Sequence, residues 1–223
     1  MNKLTGFSVK NGYRATCNHY CKVIYPLFLT LLVLLLTSPV QAKYSGGTGE
    51  PNNPYRIATA DDLNDIGNHM EDFNKCFLQV NDVNLSEYTG TELNIIGPNS
   101  TTPFTGFFDG NGHTISNFTY DSNSNNCIGI FGYVGIYNDS NTVIKNLTLI
   151  DPNVDAGTGS PFGGPVGSLI GMLYSGCVSD CSAVGGIVSG KNWVGGLIGA
   201  IGTKLHFLSL SRRLRDVLLT FVS

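Results

Sequence analysis

The sequence is poor in charge, and its few charges are unevenly placed. Charged residues make up 13% of the 223 residues. Between Lys43 and Thr203, five basic residues stand against fifteen acidic ones, a balance of −10. Such a segment repels phosphate backbones, so the composition argues against a nucleic-acid partner. Hydrophobic residues still reach 42%, which is enough for a packed core and argues against a disordered chain.

A long apolar run is also missing. The main apolar block, Leu27–Leu36, has ten residues, whereas a membrane-spanning helix needs about 20. Four basic residues precede the block, and Val40 and Ala42 lie where a signal peptidase prefers small side chains. The pattern predicts a secretory signal peptide over residues 1–42, cleaved after Ala42. The alternative is an uncleaved membrane anchor at about 23–40, which would be the chain's attachment to a membrane.

Few cysteines remain after such a cleavage, namely Cys76, Cys127, Cys177 and Cys181. An even number in an exported chain permits disulfides, with three possible full pairings. Their wide spacing shows no compact framework, and cysteine is readily buried as a small hydrophobe, so free thiols are favoured. The pair Cys177 and Cys181 lacks a second ligand pair nearby, so no zinc site is predicted, and no other cofactor is indicated.

Residues 43–103 are predicted to form a strap and a cap. Turn-forming residues dominate 44–55. Thr59 and Asp62 have the spacing of a capping box, and Leu63, Ile66 and Met70 share one helical face, which predicts a helix at about 60–70. Short strands are expected at 76–80, 83–85 and 93–96. A one-sided helix followed by strands can cover the open edge of a stacked sheet.

The motif Asp109-Gly110-Asn111-Gly112 predicts a tight turn, because Gly and Asn accept positive φ. Beyond it, strict alternation places Ile115 and Phe118 on opposite faces, which is typical of a strand with neighbours on both sides. Asp109 and Asn111, with His113, are candidates for a cation or sugar site. The alternative, which the sequence favours, is that Asp109 and Asn111 bond their own turn and that His113 lies on the surface.

A glycine-rich pattern occurs three times in the second half, at Ile128–Gly132, Val166–Gly171 and Val194–Gly199. The interval from the first copy to the second is longer than the next one, which suits rungs with loops of variable length. Short strand-like segments lie between the copies, so the sequence predicts a mainly β fold, with parallel coils stacked as a solenoid over 104–202. Corners with positive φ, or close approaches of coils, are expected at Gly129, Gly132, Gly167, Gly171, Gly195, Gly196 and Gly199.

The copies at 167–171 and 195–199 resemble the GLUG repeat of secreted and surface bacterial proteins. Gly106–Ile115 is similar to the segment that often precedes such repeats. The resemblance covers roughly residues 44–202. It implies a right-handed parallel β-helix, export, and association with large modular surface proteins, including adhesins and some proteases. It implies no catalytic residue here. The first copy departs from the pattern, because it has Ile128-Gly129-Ile130 where a second glycine or small residue would be usual.

The last segment, 203–223, differs abruptly from the array. It has no glycine and carries Lys204, Arg212, Arg213 and Arg215, while Phe207, Leu210, Leu214, Val217 and Phe221 follow helical spacing. One interpretation is an amphipathic helix that closes the C-terminal end of the solenoid or touches an anionic surface. The other, favoured by the change of composition, is that the array is interrupted by a truncated or shifted reading frame.

Two functions are consistent with these features. The favoured one is a non-catalytic exported module for adhesion, which presents rows of Asn, Ser, Thr and aromatic side chains to extracellular polysaccharide or a surface protein. The alternative is a fragment of a polysaccharide lyase or glycoside hydrolase, which β-helices often support. That chemistry needs acids at matching positions on neighbouring rungs. Asp109, Asp151, Asp155 and Asp180 are scattered relative to the glycine pattern, so no catalytic residue is assigned.

Overall fold

The computed structural model describes residues 43–122, 127–137, 141–157 and 163–202. In these residues the fold is a parallel β-solenoid of about three turns, with one short helix near its N-terminal end. All pairings between the named strands are parallel. The predicted parallel β-helix with a short N-terminal helix is therefore confirmed. The predicted signal peptide at 1–42 and the tail at 203–223 lie outside the described residues.

The elements are short and follow one another closely along the chain. The helix is α1 (Ala60–Asn68), followed by a 3₁₀ turn (Met70–Asp72). The strands are β1 (Tyr55–Ile57), β2 (Cys76–Gln79), β3 (Val83–Asn84), β4 (Phe107–Asp109), β5 (Thr114–Ser116), β6 (Thr119–Asp121), β7 (Phe131–Val134), β8 (Val143–Ile150), β9 (Asn153–Asp155), β10 (Ile170–Leu173), β11 (Cys177–Val184), β12 (Ile187–Ser189) and β13 (Ile198–Ile201).

Three sheets form the sides of the stack. In the largest, β4 and β5 pair with the two halves of the long strand β8, whose other neighbour is β11. The second sheet has the order β7, β10, β13, and the third has the order β6, β9, β12. Strands β2 and β3 pair with β4 and β5, so the sheets already begin within the segment predicted as strap and cap.

Short polar residues with positive φ turn the chain between the sheets. Asn117, Asp151 and Gly185 follow register-matched ends of three strands and have φ values of 57°, 49° and 70°. Asn, Asp and Gly adopt this conformation at the lowest cost. The corner at Asn117 interrupts the alternation expected beyond the turn, and Ile115 and Phe118 are both buried. Their predicted placement on opposite faces was wrong.

The core consists of rows of apolar side chains that run from coil to coil. In one row, Phe77, Phe108, Ile144 and Val178 are register partners, and each is at most 6% exposed. The rings of Phe77 and Phe108 stack with centroids 6.4 Å apart. Each coil buries its inner side chains against the next coil, so the stack rather than the single coil is the stable unit.

The three glycine-rich copies lie in superposed coils. Bridges join Ile128 to Val166 and Val166 to Val194, and β7, β10 and β13 pair in register. A Cβ added at Gly171 would lie 2.7 Å from the Ile128 nitrogen and 2.8 Å from the Gly132 oxygen. Positive φ is absent from Gly129, Gly132, Gly167, Gly171, Gly195 and Gly199, so close backbone approach is what requires glycine there. Gly196 follows Gly195 in the third copy, and its carbonyl accepts a hydrogen bond from Ser168 Oγ.

Variable loops explain the uneven spacing of the copies. Between β8 and β11, and between β9 and β12, contacting partners share one offset of 34 in residue number, as in Thr148 with Ser182 and Asp155 with Ser189. The loop 135–142 is five residues longer than 174–176, and 156–169 is six residues longer than 190–197. The glycine spacing therefore changes, whereas β5, β8 and β11, and likewise β6, β9 and β12, keep a constant offset of 34.

Helix α1 begins with the predicted capping box. Thr59 Oγ1 accepts from Asp62 N at 3.1 Å, and Asp62 Oδ2 accepts from Thr59 N at 3.0 Å. Leu63 and Ile66 are buried as expected. Met70 is 58% exposed, because the helix ends at Asn68 and the chain continues in the 3₁₀ turn. Its predicted place on the apolar face was wrong.

The strand expected at 93–96 is also not formed. Only Ile96 makes a bridge, to Phe131. The backbone of Asn94 instead donates to Asn64 Oδ1 of α1 at 2.8 Å, so this segment is tied to the helix.

Among the described residues all four cysteines are free thiols. Burial raises the pKa of Cys127 to about 11 and that of Cys181 to about 12. Burial thus favours the protonated thiol at both positions.

Candidate binding surface

Asp109 ends β4, and its carboxylate is occupied by protein donors. Its Oδ1 accepts from Asn111 N at 2.8 Å and from Asn146 Nδ2 at 2.9 Å, and its Oδ2 lies 3.2 Å from Lys145 Nζ. Burial alone would raise the pKa of Asp109, but these donors hold it below its ordinary value. Asp109 thus joins its own turn to β8. Within that turn, Asn111 and Gly112 have φ values of 53° and 80°.

His113 faces a different acid. Its Nδ1 lies 3.2 Å from Asp82 Oδ1, which also accepts from Thr114 N at 2.8 Å. The Thr114 N–H and, next, the His113 side chain hold the pKa of Asp82 below its ordinary value. Asp109 and His113 therefore contact different residues: Asp109 contacts Asn111, Asn146 and Lys145, and His113 contacts Asp82. In the part of the chain that the structure describes, no group of three or more His, Cys, Asp or Glu side chains could hold a metal ion.

The remaining acids weighed from the sequence occupy separate places. Asp151 and Asp180 adopt positive φ, at 49° and 52°, Asp151 at the corner after β8 and Asp180 within β11. Asp155 lies in β9 and is the register partner of Asp121 in β6 and of Ser189 in β12. The N–H of Gly157 and, next, the Ser189 hydroxyl hold the pKa of Asp155 below its ordinary value. The structure therefore brings Asp121 and Asp155 together, a pair that the sequence reasoning missed.

A constant offset in residue number is the signal that could have revealed this pair. Asp121 and Asp155 are separated along the chain by the same interval as Asp155 and Ser189, and so are the corner residues Asn117 and Asp151. The glycine copies are the more conspicuous repeat, but they follow the one face on which loop length varies. The glycine copies therefore do not indicate the constant offset between strands on the other faces.

An aromatic patch, formed by Tyr133 of β7 and Tyr174 directly after β10, lies on the sheet of β7 and β10, and the exposed Ile136 and Tyr137 follow in the loop after β7. The half-buried rings of Tyr133 and Tyr174 stack with centroids 5.8 Å apart. Ile136 is 47% exposed and Tyr137 is 59% exposed. Ser175 Oγ donates to the Ile136 carbonyl at 2.7 Å, which ties the loop after β7 to the end of β10.

The hydroxyl group of Tyr133 in this patch remains protonated at neutral pH. Burial and, next, the neighbouring Tyr174 raise the pKa of Tyr133. Grouped apolar side chains on a soluble surface usually mark a contact region. No sequence spacing indicated the patch, because Tyr133 and Tyr174 come together only through the stacking of their coils.

A row of small polar side chains crosses the largest sheet. Thr114, Thr148 and Ser182 are register partners on β5, β8 and β11. The hydroxyl groups of Thr148 and Ser182 lie 3.1 Å apart and form a hydrogen bond. The row is a polar surface without a charged centre.

Sequence comparison finds relatives for part of the chain. Halomucin of Haloquadratum walsbyi is 30% identical over 161 residues, which are 69% of this chain and 2% of halomucin. A proposed Gly-rich membrane protein of Evansella cellulosilytica is 34% identical over 110 residues, which are 48% of this chain and 12% of that protein. The chain thus spans a small part of both relatives. No protein-family model matches it.

Among solved structures, a proposed immunoglobulin A1 protease from Bacteroides ovatus is similar over 73% of this chain and 66% of its own. The TM-score is 0.43 and the sequence identity is 18%. A superposition of this quality supports no conclusion about function.

The described helices are too short or too polar to cross a bilayer. The segment weighed as an anchor, about 23–40, lies outside the described residues.

Proposed function

We propose that this chain is an exported surface module of the GLUG-repeat type that binds extracellular carbohydrate. The observation that carries the proposal is the aromatic patch, held on a stack of paired strands. A tyrosine ring can pack against the C–H face of a sugar while its hydroxyl group bonds the sugar's hydroxyls. Tyr133 lies in β7 and Tyr174 directly follows β10, so paired strands hold both rings in place, which favours recognition of an extended polymer.

Export and a place at the cell surface are supported by two observations. Residues 1–42 have the composition of a signal peptide, with basic residues before a short apolar block. One relative is named as a membrane protein, and the name halomucin points to the same class of surface or membrane-associated proteins. The superposed glycine copies are consistent with the GLUG assignment.

Charge favours a neutral ligand. The segment 43–203 has five basic and fifteen acidic residues, so its net charge of −10 repels anionic polysaccharides at low salt. A tyrosine that remains protonated adds no charge of its own. We therefore place neutral glycans ahead of pectin or alginate.

Binding to immobilised neutral and acidic polysaccharides tests the proposal. The Tyr133→Ala/Tyr174→Ala variant should bind a neutral glycan at least about tenfold more weakly, a loss of about 1.4 kcal/mol. Trp193→Ala is the matched control, because Trp193 is an aromatic residue that is 64% exposed in the turn between β12 and β13. Undiminished binding by the tyrosine variant, or an equal loss in the control, would contradict the proposed surface.

A second candidate function rests on the register pair Asp121 and Asp155. Neighbouring strands lie about 4.8 Å apart, close to the separation of about 5 to 5.5 Å between the carboxylates of retaining glycosidases. The lowered pKa of Asp155 argues against it as a general acid, which needs a raised one. Release of reducing ends from a polysaccharide, abolished by Asp155→Asn, would establish hydrolysis. Calcium-dependent formation of unsaturated ends would indicate a lyase.

A further inference from the structure

The tripeptide Asn-x-Ser/Thr, which is the acceptor motif of N-linked glycosylation, occurs five times in the sequence. The structure describes four of these tripeptides, which begin at Asn84, Asn99, Asn117 and Asn146. In a chain rich in Asn, Ser and Thr such tripeptides also arise by chance, so the motif alone selects none of them. The fold distinguishes them, because it leaves different parts of each tripeptide accessible.

Three of the four described tripeptides have their middle residue in the core. These middle residues are Leu85, Phe118 and Leu147, and each is at most 1% exposed. A transferase has to bind the whole tripeptide in its own cleft. Withdrawing a Leu or Phe side chain from the core costs about 1.5 to 3 kcal/mol. The folded coils therefore withhold these three tripeptides from such an enzyme.

In two of the three, hydrogen bonds between coils also engage the asparagine amide. Asn146 Nδ2 donates to Asp109 Oδ1 at 2.9 Å. The hydroxyl group of Thr148, in the same tripeptide, lies 3.1 Å from Ser182 Oγ. The amide of Asn117 likewise donates to a side chain of the preceding coil. A reaction at these nitrogens would first have to break such bonds, at a cost of about 0.5 to 1.5 kcal/mol each.

The tripeptide Asn99-Ser100-Thr101 is the exception. All three residues are exposed, in a turn that is closed by a bridge between Asn99 and Thr102. The two ends of the turn are anchored to the backbone of Tyr133, since Gly97 O accepts from Tyr133 N and Phe104 N donates to Tyr133 O. The turn itself lies outside the named strands, so a group added at its tip displaces none of them.

Hydrogen bonds within the turn hold the Asn99 amide through its oxygen. Asn99 Oδ1 accepts from the N–H and hydroxyl groups of Thr101 at 2.9 Å and 2.5 Å. It also accepts from the N–H and hydroxyl groups of Thr102, at 3.2 Å each. Among the described residues, none accepts a hydrogen bond from Asn99 Nδ2. The amide is thus fixed while its nitrogen remains available to another molecule.

We propose that the folded chain presents Asn99 as an acceptor of N-linked oligosaccharide. In this reaction Asn99 Nδ2 attacks the anomeric carbon of a sugar that is carried on a lipid pyrophosphate. A C–N bond forms and the C–O bond to the pyrophosphate breaks, so that the lipid pyrophosphate leaves with the electron pair. The nitrogen gives up one proton to a base of the transferase. The inference rests on the export part of the proposed function, because such transferases act on exported chains.

Transfer of sugar to the purified, folded full chain tests the proposal. The chain is incubated with a lipid-linked oligosaccharide and an oligosaccharyltransferase that requires only the tripeptide, and peptide mass spectrometry locates the sugar. Transfer at each asparagine is divided by transfer to a synthetic peptide of the same sequence, which isolates the effect of the fold. We expect Asn99 to accept at least about tenfold more sugar than each of the other three, as the cost of withdrawing a core residue predicts.

Two threonine variants provide a matched comparison. Thr101→Val and Thr102→Val each remove a hydroxyl donor from Asn99 Oδ1, but only Thr101 belongs to the tripeptide. Thr101→Val should abolish transfer to Asn99, and Thr101→Ser, which keeps the hydroxyl group, should restore it. Thr102→Val should match the parent chain.

Either of two outcomes would overturn the proposal. The first is no transfer to Asn99 in the folded chain, and the second is equal normalised transfer at all four asparagines. The transfer assay does not require export, and carbohydrate binding by the aromatic patch is measured on unmodified chain. Failure of the acceptor proposal is therefore distinguishable from failure of the proposed function.

Discussion

The two ends of the described solenoid differ in what covers their outermost strands. At the N-terminal end, a strap and a helix from outside the repeat bury the apolar side chains and pair with β1. At the C-terminal end, strands of the repeat itself are outermost, and their inner side chains are half-buried. The comparison shows that stacking alone stabilises interior coils fully and outermost coils partly.

The largest expected effect is on the free energy of unfolding, when a buried isoleucine is replaced at one end and a half-buried one at the other. Ile57 in β1 is fully buried, whereas Ile198 in β13 is half-buried. Ile57→Ala should lower the free energy of unfolding by about 2 to 5 kcal/mol. Ile198→Ala should cost about half as much or less, since it removes less buried surface. Urea unfolding measures both, and equal costs would show that the two ends are equally covered.

A smaller effect is expected at the anchor of the strap. Asp72 is buried and accepts from Tyr44 Oη at 2.8 Å, and Lys43 Nζ lies 2.6 Å from it. Asp72→Ala leaves the Tyr44 hydroxyl without this acceptor and should lower the free energy of unfolding by about 1 to 3 kcal/mol.

The neighbouring exposed acid provides the control for this anchor. Glu71 also contacts Lys43, at 3.0 Å, but it lies in solvent. Glu71→Ala should leave the urea midpoint nearly unchanged. Equal urea midpoints for the two variants would show that the burial of Asp72 does not stabilise the strap.

The smallest expected effect is the pH dependence of the stability that Asp109 contributes at the end of β4. The pKa of Asp109 is lowered in the folded chain, so its contribution is present above the unfolded value of about 3.9 and is lost as the pH falls through the folded value. Asp109→Asn should cost under about 1 kcal/mol at pH 7, because one side of the pair is partly solvated. The difference from the parent chain should shrink below about pH 4. Urea unfolding at pH 7 and pH 3 would measure it, with Glu87→Gln as the control, and a difference that grew in acid would refute the assignment.

Much of the fold could be predicted from local signals. The capping box at Thr59 and the Asp-Gly-Asn-Gly turn depend on neighbouring residues, so their chemistry is readable in the sequence. The stacked copies were readable because glycine tolerates the close approach of Ile128 and Gly171. The parallel β-solenoid follows from these signals.

The surfaces could not be predicted in the same way. The Tyr133 and Tyr174 contact and the Asp121 and Asp155 pair join residues that only the register of the coils brings together. Phe118 was misplaced because one residue with positive φ, Asn117, reverses the side-chain alternation. Met70 was misplaced because its helix ended two residues earlier than the periodicity indicated.

The constant register of the two faces built from β8 and β11 and from β9 and β12 has a practical consequence. Length differences of five and six residues are absorbed entirely in the connections, while the paired strands keep their partners. The short connection 190–197 accordingly has a natural counterpart that is six residues longer. It is a suitable point for grafting a foreign peptide if the chain is used as a display scaffold.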